Sequence, residues 1–182
     1  MKKHIILLAA IGSLSFISCM NDTKKTERDP EVVTVDIATN QIYIAAKTEV
    51  KFKDPKVTTV YQSYINLKTA LVNSDPNSTA GEAILLKTAL ADAGADEEVL
   101  LAAQSITEST DVEIQREGFV MITQAVEKML DGAIESGVVY KQYCPMAFDF
   151  KGGYWLSNSN EINNPYFGDK MLRCGKVTSE IR

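Results

Sequence analysis

Histidine is nearly missing from this chain: His4 is the single one in 182 residues. Beyond residue 4 the sequence has no imidazole for a serine–histidine or cysteine–histidine pair, or for a zinc centre built on histidine. Cysteine is scarce as well, present only as Cys19, Cys144 and Cys174. Basic residues are outnumbered by acidic ones, 19 against 24, for a formal charge of −5. That balance argues against nucleic acid or an anionic lipid surface as partner. After the first eighteen residues no apolar run approaches the roughly 20 residues of a membrane-spanning helix.

What is present begins at the N-terminus. Lys2 and Lys3 precede "IILLAAIGSLSFIS", an apolar run of export-signal rather than spanning length. It ends at Cys19 in a pattern that resembles the lipobox of bacterial lipoproteins, with Phe16 where leucine is usual. The expectation is a signal peptide over 1–18, lipidation of Cys19, and anchorage in the cell envelope, facing the periplasm or outer surface. The mature chain would keep 164 residues with 17 basic against 24 acidic, a formal −7. That length suits one domain with a real core. Residues 19–30 are polar and charged, a flexible tether. Residues 31–53 form an extended segment whose structure the pattern leaves open, and 54–182 read as a helical domain.

From Asp54 the apolar spacing turns helical. Asp54 can cap and Pro55 suits a first turn. Val57, Val60, Tyr61, Tyr64, Leu67 and Leu71 make one stripe. A second helix starts near Ser78 and turns Ala83, Leu86, Ala89 and Leu90 inward before Gly94. A short third spans about 96–108. A fourth, capped by Thr110 or Asp111, carries Val112, Phe119, Ile122, Val126, Met129 and Ala133, with Gly137 at its exit. Gly118 inside it costs about 1 kcal/mol against alanine unless something packs closely there. After Val138 the chain turns aromatic-rich and glycine-rich. The expected fold is all-α: an antiparallel bundle of about four helices with an irregular C-terminal Cys/Met/aromatic segment packed on it.

Four stretches carry a family resemblance: "YKQYCPMAFDFKGGYWLS", "EINNPYFGDKMLRCGKV", "YQSYINLKTALVNSD" and "DVEIQREGFVMITQAVEKM". Together they resemble a bacterial domain-of-unknown-function family, over about Pro55–Ile181. That family occurs alone in secreted lipoproteins and at the C-terminus of periplasmic adaptor subunits of copper/silver efflux pumps. The resemblance implies a compact, mainly helical domain, and a link to metal export by association only. Two positions depart from the expected motifs. Gly118 stands where many members carry histidine, and Ala147 where the heavy-metal motif Tyr-x-Cys-Pro-Met-His-Pro has one.

The chemistry concentrates in "YCPMA" and "MLRCG". Cys144, Met146, Met171 and Cys174 are soft donors that together could hold Cu(I) or Ag(I) without histidine, with Tyr143, Tyr154 and Trp155 shielding the ion. The same cysteines could instead form a disulfide, as befits an oxidising compartment. Closing that 30-residue loop would contribute roughly 3.5 kcal/mol. The methionines could also be core fillers, the preferred reading for Met121 and Met129.

Other groups read as structural. Asp92, Asp96, Glu97 and Glu98 suit caps and a solvated face, "DFKGGY" a turn, and Ser157 and Ser159 loop or cap positions without a base nearby. Arg116 could pair with Glu113 or Glu117. Two functions follow. One is a lipid-anchored, non-enzymatic Cu(I)/Ag(I) binder that buffers metal or delivers it to efflux components. The other is an envelope interaction module with a structural Cys144–Cys174 disulfide, docking through the aromatic segment.

Overall fold

The structure, a computed structural model, describes residues 42–182. The expected signal peptide, Cys19, the expected tether and residues 31–41 of the extended segment lie outside those residues. Four helices follow one another: α1 (Pro55–Val72), α2 (Pro76–Asp92), α3 (Glu97–Glu108) and α4 (Val112–Met129). Each packs on the next, and α1 closes against α4. Aspartate sets three of the starts. Asp54, Asp75 and Asp111 accept from backbone N–H groups one turn ahead, through Lys56, Asn77 and Ser78, and Glu113. Gly94, at φ +79°, lets Ala95 N donate back to Leu90 O and end α2.

The all-α expectation fails beyond α4, and the domain is mixed α and β. α4 ends at Met129, short of Ala133. The exit is Gly132 at φ +65°, whereas Gly137 joins two strands. β1 (Lys51–Phe52) pairs antiparallel with β2 (Ile134–Ser136). β3 (Val139–Cys144), β4 (Gly153–Ser157) and β5 (Lys176–Ile181) form a second antiparallel sheet in the order β4-β3-β5. The segment expected to be irregular thus supplies three strands, with turns and loops between them. A 3-10 turn spans Gly168–Met171. Among the described residues no helix is long and apolar enough to cross a membrane.

One aromatic chain joins the two halves. Phe52, Tyr61, Tyr64, Phe119, Tyr166 and Trp155 follow one another with ring centroids 5.1 to 6.3 Å apart. Tyr64 is the joint: its hydroxyl meets Thr123 Oγ1 on α4 at 3.0 Å and accepts from Leu156 N on β4 at 2.9 Å. The expected stripes on α1 and α2 are buried apart from half-buried Val57, but Met121 is exposed rather than core. Met129 does pack against the core.

Gly118 has its close neighbour. A Cβ there would lie 2.7 Å from Ile106 Cγ1 and 3.3 Å from Ala102 O, so the glycine sets how near α3 approaches α4. Gly118→His is expected to lower stability by about 1–3 kcal/mol through overpacking, read as a fall in the urea midpoint at unchanged slope.

Candidate functional site

Strand pairing brings the two cysteines together. β3 and β5 run antiparallel with Tyr143 opposite Lys176, so Cys144, the last residue of β3, meets the chain just before β5. No bond joins the two cysteines in this structure, but their sulfurs are 2.7 Å apart, Cys144 fully buried and Cys174 partly so. Gly175, at φ +145°, permits this approach: a Cβ there would lie 2.9 Å from the Trp155 ring and 3.1 Å from Tyr143 O. The contact with Cys144 first, and burial second, push the Cys174 thiol up to about 11. In the reduced pair Cys174 is accordingly a protonated, weakly nucleophilic thiol at neutral pH.

The methionines flank this pair along the chain. Met146 lies in the β3–β4 connection, half-buried against the core, and Met171 ends the 3-10 turn, also half-buried. After Met146 the backbone turns left-handed: Phe148, Asp149 and Phe150 have φ of 53°, 54° and 65°. Such a conformation costs roughly 1–2 kcal/mol per residue. The Phe148 ring, edge-on to Tyr166 at 5.0 Å, and Gly152 N donating to Ala147 O at 2.9 Å help hold it. Among the described residues no three His, Cys, Asp or Glu side chains cluster as metal ligands, so an ion here would rely on the thioethers.

The "NNPYFG" stretch is the clamp of the site. Buried Asn164 donates from Nδ2 to Cys174 O at 2.8 Å and accepts from Tyr166 N at 2.8 Å. Arg116, 2% exposed, reaches from α4 to Pro165 O at 2.9 Å and to Ser74 Oγ at 3.0 Å. Its ion pair is with Glu113 at 2.7 Å. Gly168 packs into the same corner, where a Cβ would fall 2.2 Å from Ser74 Oγ. Trp155, fully buried, donates to Gln142 Oε1 at 2.7 Å, whereas Phe150 of the same aromatic segment is 77% exposed.

A second cluster escaped sequence reasoning. Lys68 on α1 is fully buried, and its Nζ lies 3.3 Å from Ser157 Oγ on β4. Ser157 is thus a strand residue with a lysine beside it, not a loop or cap residue. Among the described residues no carboxylate pairs with Lys68, and the Tyr43 ring lies 5.8 Å from its Nζ. Lys68 sits between Leu67 and Leu71 of the apolar stripe, and its partner is 89 residues away, so only its place beside the stripe hinted at burial.

Burial pushes Lys68 down from 10.5 to about 8. Between those values the unfolded chain holds a proton that the folded one has lost, so stability rises with pH across the window. Below about 8 both states are charged and the burial penalty is fully present. Buried Tyr61, Tyr64 and Tyr166, whose hydroxyls are raised, act in the opposite sense above about pH 10. The readout is therefore a difference. Lys68→Met should exceed the wild type in stability below pH 8, by a margin that shrinks by about 3 kcal/mol toward pH 10.5, measured by urea unfolding.

Comparison with known proteins adds a family match over part of the chain. Residues 60–136 match the model of a family described as "Protein of unknown function (DUF3347)". This stretch runs from α1 through β2 and stops before both cysteines. No curated protein and no solved structure matches the chain.

Proposed function

We propose that this chain is a non-enzymatic, lipid-anchored protein of the cell envelope that works by docking, its C-terminal sheet closed by a Cys144–Cys174 disulfide. The carrying observation is the 2.7 Å between the two sulfurs. Two thiolates sharing a tetrahedral ion at a metal–sulfur distance of ~2.3 Å stand about 3.7 Å apart. A disulfide needs about 2.05 Å. The observed separation is nearer the bond, and an oxidising compartment favours it. Trp155 and Tyr166 are buried and offer no docking surface themselves.

Soft-metal binding is the second reading, favoured by Met146 and Met171 standing half-buried just after Cys144 and just before Cys174. Cys144, Met146, Met171 and Cys174 would hold Cu(I) or Ag(I), supplied to heavy-metal efflux components. Full-length protein isolated from envelopes without reductant separates the two. Two blocked thiols, unchanged by a Cu(I) chelator, support the staple. Two free thiols with stoichiometric Cu(I) uptake, weakened by Cys144→Ser, support the metal site.

A further inference from the structure

The docking reading asks for a surface, and residues 42–48 cover one. This stretch lies extended over the end of α1 and the segment after β4. Asn73 reads it as a neighbouring strand would: Oδ1 accepts from Tyr43 N at 2.8 Å and Nδ2 donates to Tyr43 O at 2.9 Å. Asn158 Nδ2 donates to Ala46 O and, at 3.3 Å, to Thr48 Oγ1. These contacts recognise mainly backbone, so they set a path without fixing a sequence.

The strap fills that path incompletely, in two independent ways. Asn158 Oδ1 is buried and has no hydrogen-bond partner, so the amide makes only half of the exchange that Asn73 makes. Lys68, beneath Tyr43, has a buried ammonium whose polar neighbour is one hydroxyl at 3.3 Å. An ammonium carries three donors, and a tyrosine ring at 5.8 Å is a weak substitute for a carboxylate. The nearby carboxylate of Glu161 is already held by Arg173 at 2.5 Å. On the strap's outer side Ile42 and Ile44 are 76% and 82% exposed, so lifting it uncovers little apolar surface of its own.

We propose that the groove bounded by Asn73, Lys68, Ser157 and Asn158 is an acceptor site for an extended, acidic segment of a partner protein, and that residues 42–48 are its resting occupant. The partner's backbone takes the places of Tyr43 and Ala46, donates an N–H to Asn158 Oδ1, and sets a glutamate or aspartate against Lys68. The strap competes as an intramolecular ligand, so a peptide in trans meets an effective concentration in the millimolar range. The proposal rests on the docking reading and is independent of the disulfide.

The test uses labelled synthetic peptides of residues 42–48 carrying Glu or Lys in place of Tyr43. They are titrated by fluorescence anisotropy onto the full chain and onto its Tyr43→Pro variant, which loses the N–H held by Asn73. The Glu peptide should bind Tyr43→Pro at least tenfold tighter than the Lys peptide and tenfold tighter than it binds the wild type. Lys68→Met, added to Tyr43→Pro, should erase the preference. Equal affinities, no binding, or a preference that survives Lys68→Met overturns the proposal, as does displacement by acetate at the peptide's own concentration, which marks a small-anion site. Where Tyr43→Pro does not fold, Tyr43→Glu decides instead: it should raise the melting temperature in the wild type and not in Lys68→Met, and an equal effect in both overturns it. Thiols are counted in the same samples, so loss of peptide binding with both thiols blocked sinks the groove and leaves the staple standing.

Discussion

Arg116→Met is expected to lower the unfolding free energy by about 3–5 kcal/mol, a large part of the 5–15 kcal/mol that a domain typically holds. The guanidinium is buried and bonds three separate parts of the chain: Glu113 on its own helix, Ser74 at the α1–α2 turn, and Pro165 O in the loop before the 3-10 turn. Methionine fills much of the volume but leaves Pro165 O and Ser74 Oγ without their charged donor, and each such hydrogen bond is worth about 1.5–3 kcal/mol. Glu113 itself is 60% exposed and can turn to water, so the ion pair is the smaller part of the loss. Glu113→Gln should accordingly cost under about 1 kcal/mol. Equal effects of the two substitutions would show that the ion pair, not the loop clamp, carries the energy. Urea unfolding at pH 7 gives both values.

Reduction of the oxidised domain is expected to cost about 3.5 kcal/mol on the chain-entropy estimate for the 30-residue loop, a fall in melting temperature of roughly 10 °C. The loop from Cys144 to Cys174 contains β4, the left-handed turn, the Asn-Pro loop and the 3-10 turn, with little long helix to hold it. Cys174→Ser, which cannot be cross-linked, should match the reduced wild type to within about 1 kcal/mol. Its effect should not add to that of Arg116→Met. Arg116 holds Pro165 O and Asn164 holds Cys174 O, so both changes loosen the same loop. Strict additivity would contradict a shared clamp.

The helical half was legible because its signals are local. Asp54 and Asp111 cap, Gly94 exits, and Tyr61, Tyr64, Leu86 and Phe119 fall on period and are buried. The second start was misplaced by two residues, since Asp75 rather than a residue near Ser78 is the cap. The sheet was not legible, for reasons visible in its strands. A register shift between Lys141 and Gln142 breaks the alternation of β3, and every residue of β5 before Ile181 is exposed, so no apolar pattern marks it. Pairing between β3 and β5 is also non-local, and no short window of sequence contains it.

The candidate site divides along the same line. That Cys144 and Cys174 meet was expected, and they do, although by strand register rather than through two loops. Met121 was read as core and is exposed, on the face of α4 turned away from the buried Phe119, Thr123 and Val126. Lys68 and Ser157 were invisible as a pair, because nothing in either neighbourhood names the other.

The account stands most directly on the covalent state of two residues. Trypsin cutting after Lys141, Lys151, Arg173 and Lys176 frees Cys144 in 142–151 and Cys174 in 174–176. Full-length protein taken from envelopes, denatured in the presence of excess alkylating agent and digested without reductant, should yield these two peptides joined, with a mass two hydrogens below their sum. Recovery of both peptides separately, each carrying the alkyl group, would contradict it.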